Sequence, residues 1–382
     1  MKEMRKLGDF VQPVDVRNTD LSVTRLLGLS IDKCFIESIA NTIGTDFRPY
    51  KIVKKGQFAY GPVTSRNGEK ITIALLEEPE CIISSSYAVF EITDTSKLLP
   101  EYLMLWFSRP EFDRYARYKS HGSVREIFDW DEMCRVELPV PPLNEQQKIV
   151  DTYNAITNRI QIKQKINENL EKTALLQIEE LLENPNTKKR TIKIGDICDV
   201  KGGKRLPLGS DLIEQKNSHP YIRIRDLKNS CFVILNDEFL YVDDEIQQEI
   251  SRYITNTNDL LISIVGTIGL TSIVHSSLDN ANLTENCVKL TNMNVLSPEY
   301  VLMYLRTKFG QKAISQATVG AVQAKLPLKN VQNLDIQYFD DEQMREINLL
   351  LKNSFKLISC NIEEIIKLNT LRNGIVSQIS KR

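Results

Sequence analysis

The chain has 382 residues, a hydrophobic fraction of 42%, a charged fraction of 26% and a formal net charge of -1. That length accommodates two ordinary domains and a connector, the composition is that of soluble globular proteins, and no apolar run reaches the roughly 18 residues of a membrane span. A near-neutral total neither demands nor excludes a nucleic-acid partner, so local charge has to decide.

In chain order, Met1-Lys2-Glu3-Met4-Arg5-Lys6 is charged but leads into no apolar core of a signal peptide. Arg66-Asn67-Gly68 reads as a turn, and Ile71–Leu76 and Tyr87–Ile92 as strands. A helix is expected over 100–118. Basic residues then crowd around His121-Gly122-Ser123: Arg109, Arg114, Arg117, Lys119 and Arg125. Pro141 and Pro142 hold the chain extended before a long helix, for which Asn144 and Gln147 have the spacing of a capping box. Ile149, Tyr153, Ile156, Ile160, Leu170, Ala174 and Leu181 make a coiled-coil seam. It is polar in the middle at Lys163 and Asn167, where Ile162 and Ile166 offer a shifted face.

The second half opens with Lys188, Lys189, Arg190 and Lys193, followed by Lys201, Lys204 and Arg205 beside Gly202-Gly203. Arg223, Arg225 and Lys228 share a segment with Tyr221. Asp259–Val265 reads as a buried strand running into the tight turn Gly266-Thr267-Ile268-Gly269, and a helix is expected over 298–315. The last segment repeats the seam with Ile347, Leu351, Phe355, Ile358, Ile362, Ile365, Leu368, Ile375 and Ile379. Some 38 helical residues make a rod of roughly 57 Å, and two such exposed seams most simply bury each other.

The halves are copies. Pro100-Glu101-Tyr102-Leu103 returns as Pro298-Glu299-Tyr300-Val301 and Gly122-Ser123-Val124 as Gly320-Ala321-Val322, both at an offset of 198. Glu145-Gln146 returns as Glu342-Gln343 at 197, and Leu7-Gly8-Asp9-Phe10 as Ile194-Gly195-Asp196-Ile197 at 187. The expected fold class is therefore α+β, twice: mixed α/β domains over 1–143 and 186–340, separated by a long antiparallel two-helix coiled coil of 144–185 and 341–382. Connectivity makes the pairing antiparallel, which gives the internal repeat a pseudo-twofold axis and returns the C-terminus to the first domain.

Catalytic patterns are missing. Gly202-Gly203-Lys204-Arg205 lacks the spacing and hydroxyl of a phosphate loop, and no Gly-x-Gly-x-x-Gly follows a strand. His121, His219 and His275 have no ligand-like spacing, and no Gly-x-Ser-x-Gly marks a nucleophile. The seven cysteines (Cys34, Cys81, Cys134, Cys198, Cys231, Cys287, Cys360) include no Cys-x-x-Cys, which fits reduced thiols in a cytoplasm and argues against zinc. Asp243-Asp244-Glu245 and Asp340-Asp341-Glu342 read as turn or N-cap residues, not metal ligands. No enzyme activity, metal or cofactor of its own is expected.

Lys and Arg beside glycine loops can approach phosphates closely, and Arg takes guanine bidentately in the major groove. Asn67, Asn282, Asn286 and Gln323 are side chains of the kind that pair with adenine. Any one of these residues is as readily solvated surface; the duplication of the loop at Gly122 and Gly320 singles out the set. The candidate DNA contacts are Arg66, Asn67, Arg117, Lys119, His121, Ser123 and Arg125 in the first half, and Lys201, Lys204, Arg205, Arg223, Arg225, Gln323 and Lys325 in the second.

These residues resemble the DNA-specificity subunits of type I restriction–modification systems. Phe58-Ala59-Tyr60-Gly61, Ser84-Ser85-Ser86-Tyr87-Ala88-Val89-Phe90, Pro100–Leu103 and Gly122–Arg125 look like that family's target-recognition domain, in order. Leu138-Pro139-Val140-Pro141-Pro142-Leu143-Asn144-Glu145-Gln146-Gln147-Lys148-Ile149 looks like its junction into the first spacer helix. The second half keeps Asp259-Leu260-Leu261 with Gly266–Gly269 but departs at its junction, Ile336-Gln337-Tyr338-Phe339-Asp340-Asp341-Glu342-Gln343. The resemblance implies a subunit that reads a bipartite sequence in double-stranded DNA, one half-site per domain, with the gap set by the helices. It also implies two modification (methyltransferase) subunits docked on the helices and restriction subunits in the full complex, with S-adenosylmethionine and ATP used by those partners. Different half-sites are expected where the copies differ, at 11–60 against 198–258. The alternative is a non-enzymatic coiled-coil scaffold with two protein-binding domains, which would lack steeply salt-dependent DNA binding.

Overall fold

The fold was obtained as a computed structural model, and the structure describes residues 4–38, 44–65, 68–122, 125–227, 230–320 and 323–380. The chain divides into two units, Met1–Ile160 with Lys367–Arg382, and Gln161–Ile366. Each is mixed α+β, as expected. No helix among the described residues is long and apolar enough to cross a membrane.

The first unit is built on a four-stranded antiparallel sheet in the order Val11–Val14, Ala88–Ile92, Phe58–Tyr60, Ile73–Leu75. Phe58, Ala59 and Tyr60 are all buried, as a central strand covered on both faces requires. Phe58 stacks on Phe90 at 4.9 Å between ring centroids, and Phe107, Phe112, Phe128 and Trp130 extend an aromatic core. The strand Met4–Lys6 pairs with Glu137–Pro139 just before the first long helix. Val150 and Ile379, one from each long helix, lie in this same core, so the C-terminal segment does return to the first domain.

The helix expected over 100–118 is two helices, Pro100–Phe107 and Pro110–Lys119. Pro110 forces the preceding residue out of the helical region, and Arg109 is extended at φ -77°, ψ 142°. Its counterpart over 298–315 divides in the same way, into Pro298–Arg306 and Lys308–Ala317, where the Thr307 side chain accepts from the Gly310 N–H. The repeated Tyr of Pro-Glu-Tyr is a tether in both copies. Fully buried Tyr102 donates to the Pro139 carbonyl at 3.1 Å and fully buried Tyr300 to the Gln337 carbonyl at 2.7 Å, each on the strand that enters a long helix.

The second unit has a five-stranded sheet in the order Asp199–Gly202, Cys287–Thr291, Leu260–Ser263, Thr271–Val274, Phe232–Val233. The first four repeat the sheet of the first unit, and Phe232–Val233 is added in parallel. A three-stranded sheet (Leu240–Tyr241, Pro220–Ile222, Asn282–Leu283) follows the pairing of Leu27–Leu29 with Phe35–Glu37 and of Leu26 with Ile82 in the first unit, whereas the helix Asp244–Ile250 has no match among the described residues there. Asp243 caps that helix, accepting from the Ile246 N–H, in line with its place in the sequence. Lys189–Lys193 pairs with Asp335–Phe339, as Met4–Lys6 does with Glu137–Pro139.

The long helices are Leu143–Glu183 and Asp341–Ser380. Asn144 is not the N-cap: the chain is already helical at Leu143, and the Pro142 carbonyl accepts from the N–H groups of Glu145 and Gln146. Gln146, not Gln147, fixes the entry, fully buried and bonded to the Leu99 N–H and to the carbonyls of Lys97 and Pro141. At the second start Asp340 accepts from the Gln343 N–H at 3.2 Å. Within the second unit, Lys163 meets Asn361 and Glu364, while Gln177, Glu180 and Leu181 share a recess with Glu346, Ile347 and Leu350; the helices run antiparallel there. The seam does not shift to Ile162 and Ile166, which are 60% and 39% exposed. Lys163 instead donates to Asn361 at 2.9 Å, Asn361 donates to Asn167 at 2.8 Å, and Glu364 lies 2.7 Å from Lys163. A polar layer whose members satisfy one another can stay in the seam and fix helix register.

Candidate nucleic-acid interface

The duplicated glycine loop has the same closure in each unit. His121 and Ile127 exchange two backbone hydrogen bonds, at 3.1 and 2.9 Å, and Val319 and Lys325 do the same at 2.9 Å each. Each loop is seated on the segment that leaves the central strand, through the bridges Val63 to Ile127 and Val265 to Lys325. Gly122 has φ 137° and Gly320 φ 98°, and a Cβ would stand 2.2 Å from the Arg125 carbonyl oxygen or 2.5 Å from that of Gln323. Only glycine fits either place.

Around the first loop, Thr64 receives Arg117 at 3.3 Å and bonds Ser120 at 2.9 Å, and its N–H donates to the Glu126 carbonyl. Arg117 is also ion-paired with Glu126, so part of its charge is used in bracing the loop. Arg125 is exposed and lines a recess with Leu29, Gly61, Ser86 and Tyr87, which joins the Ser84–Phe90 and Phe58–Gly61 motifs to the glycine loop. His121 is exposed and Lys119 half-buried beside Tyr118, which is 81% exposed. Arg66, Asn67 and Ser123 lie outside the described residues.

In the second unit a chain of backbone contacts gathers the candidates. Lys204 donates its N–H to the Leu283 carbonyl, Thr284 to Ile222, Ile264 to Asn286 and Leu326 to Ile264. Gly203 permits the crossing, since a Cβ there would stand 2.1 Å from the Thr284 carbonyl oxygen. Lys204 lies 5.6 Å from the Tyr253 ring centroid, and Arg205, 80% exposed, is held by Glu285 at 2.8 Å. Burial opposes ionisation of Glu285, but hydrogen bonds led by Arg205 leave its carboxyl below the usual range. Lys201 pairs with Asp199, whose carboxyl is lowered by hydrogen bonds from Asn292 and Lys201. Arg225, Gln323 and Lys325 are exposed.

Two candidates are committed inside the protein. Arg223 makes a two-pronged ion pair with Asp226 and bonds the Glu238 carbonyl, with its side chain only 14% exposed. Asn282 is fully buried and donates to Gln247. Tyr118 and Tyr253 are not among the residues expected from sequence, although aromatic residues within basic runs, as in Arg117-Tyr118-Lys119, are a visible signal. Among the described residues no group of three or more His, Cys, Asp or Glu could hold a metal ion.

Two mixed domains of one plan, each with a glycine loop closed in the same way and each joined to a long helix, make up the chain. The family described as the type I restriction modification DNA specificity domain matches residues 37–172 and 186–369, and this chain belongs to it: it is a specificity subunit, the non-catalytic component of a type I restriction enzyme. The chain is 21% identical over 333 residues to the specificity subunit of the type I restriction enzyme MjaIX of Methanocaldococcus jannaschii, covering 80% of this chain and 73% of that one. It is 25% identical over 126 residues to the HindI specificity subunit of Haemophilus influenzae, covering 32% of this chain and 27% of that one. Its fold is similar to the crystal structure of the type I restriction-modification system S subunit from M. genitalium, with TM-score 0.58, 13% identity, and coverage of 99% and 96%. The scaffold alternative gives way to this membership.

Proposed function

We propose that each mixed domain reads one half-site of a bipartite sequence in double-stranded DNA, and that the long helices set the gap and dock two modification subunits. Restriction subunits join that assembly in the full enzyme, which works in the cytoplasm. The domains are those of residues 1–143 and 186–340, and the helical spacers those of 144–185 and 341–382. The loops at Arg66-Asn67, His121–Arg125, Lys201–Arg205, Arg223–Arg225 and Gly320–Lys325 enter grooves or hold phosphates, with Arg223 acting through the shape it gives its loop. Methyl transfer and DNA cleavage belong to the partner subunits.

The observation that carries this reading is the pair of glycine loops, closed alike and each seated on the segment that leaves a central strand, in two domains whose sequences around them differ. One geometry presented twice suits one task, and the differing surroundings suit two texts. Phosphate contacts position such a protein while base-edge contacts specify the sequence. Half-site centres one helical turn apart are about 34–36 Å from each other, within the reach of helices roughly 60 Å long.

Deleting four residues from each long helix tests the ruler. The footprint of the assembled complex should keep both half-sites and shorten the gap between them, since four residues span about 6 Å. An unchanged gap contradicts the proposal.

A further inference from the structure

One guanidinium braces the strand that leaves the turn Gly266–Gly269 of the second unit and lines a recess with that turn. Arg306 ends the helix Pro298–Arg306, and its side chain is only 12% exposed. It donates to the side chain and carbonyl of Thr271 at 3.1 and 2.6 Å, to the Ser230 carbonyl at 2.8 Å and to Glu171 at 3.0 Å. Thr271 opens the strand that leaves the turn, and Glu171 belongs to the first long helix. Ser263 braces the turn from inside, donating to the Thr267 carbonyl at 2.6 Å and accepting from the Leu270 N–H at 2.9 Å. The planar fork of arginine can serve these divergent acceptors at once, which a point charge cannot do equally well.

The first unit secures the matching strand differently. The Ile71 N–H donates to Asp113 at 3.2 Å, and Asp113 is paired with Lys33 at 2.9 Å. Asp113 sits on the helix Pro110–Lys119, inside the same domain. Ser108, which occupies the position of Arg306 at the offset of 198, donates to the Met104 carbonyl of its own helix. One domain clamps its strand locally, while the other reaches to the long helix.

We propose that Arg306 is a positioning residue that ties the first long helix to the strand Thr271–Val274 behind the turn Gly266–Gly269, so that reading of the second half-site depends on the helix at Glu171. This rests on the half-site reading proposed above. A change at Glu171 then reaches the bases of the second half-site.

The test assembles the full complex from this chain and its modification subunits and measures methylation of duplexes carrying base changes in one half-site at a time. Wild type, Glu171→Gln and Arg306→Lys are compared. Both variants should lose about tenfold in discrimination at the second half-site, the scale of one weakened buried polar contact, and none at the first. Glu171→Gln leaves Arg306 its bonds to Thr271 and Ser230, so it keeps the test decisive if Arg306→Lys folds poorly. A purely structural role would lower overall methylation while leaving the ratio between matched and altered second half-sites unchanged, and that result, or full discrimination by folded Glu171→Gln, overturns the proposal. If wild type itself discriminates at only one half-site, the bipartite reading falls and this tie with it; bipartite reading with unaltered variants removes the tie alone.

Discussion

The two units share a sheet order and a helix pair, but their interiors are made of different material. The first is packed with rings, Phe58, Phe90, Phe107, Phe112 and Phe128 among them, and its half-buried Lys33–Asp113 pair stays within the domain. The second is mostly aliphatic, and its core is continuous with residues of both long helices: Ala174, Ile178 and Leu182 from one, Ile347, Leu351, Phe355 and Ile358 from the other. What the copies hold in common is the hardware of presentation, namely the tyrosine tethers, the glycine loops and the strand that leads into each helix. The lesson is that duplication fixed where the glycine loops are displayed and left free how each domain is filled and braced.

The sharpest way to break this comparison is at the glycines. Gly122→Ala and Gly320→Ala each place a Cβ against a backbone oxygen at a positive φ, and each should strain its loop by about 3 kcal/mol. Methylation of half-site-altered duplexes should show Gly122→Ala abolishing selection on one side and Gly320→Ala on the other. A common loss would mean that the loops do not act separately.

The dependence of the second unit on its helices can be sharpened at the polar layer. Asn361→Leu strands Asn167 and leaves Lys163 only its Glu364 partner, and should cost about 1–3 kcal/mol in denaturant unfolding. Replacing Lys163, Asn167 and Asn361 together by leucine should recover most of that loss, because an apolar layer needs no partners. A triple variant less stable than the single one would show the layer to be more than a register device.

Smaller effects test equivalence. Tyr102→Phe and Tyr300→Phe should each cost about 1 kcal/mol, since each removes one buried hydrogen bond from the same place in its copy. Calorimetry that found one costly and the other silent would break the structural match. Arg125→Gln should leave stability within about 0.5 kcal/mol of wild type, yet weaken binding to the first half-site and flatten its salt dependence.

Much of this architecture is legible in the chain itself. The offset of 198 locates both helix pairs, both tyrosines and both glycine loops, because turns and tethers need particular residues at particular spacings. The break within each helix pair is harder to see, although Pro110 marks one of them. The polar centre of the seam misleads because hydropathy favours Ile162 and Ile166, while Asn361, which satisfies Lys163 and Asn167, lies far away in sequence. Arg223 and Asn282 illustrate the same gap at the candidate interface. A charged or amide residue near a glycine loop looks available until the fold supplies Asp226 or Gln247 as its partner.

The central claim, one domain for each half of a divided sequence, is tested most directly by mapping methylated positions in the DNA of cells that carry this chain with its modification subunits. Wild type, Arg125→Gln and Lys325→Gln would be compared. The account predicts a bipartite motif with a constant gap, relaxed on one side by Arg125→Gln and on the other by Lys325→Gln. A contiguous motif, or relaxation of both sides by either substitution, would contradict it.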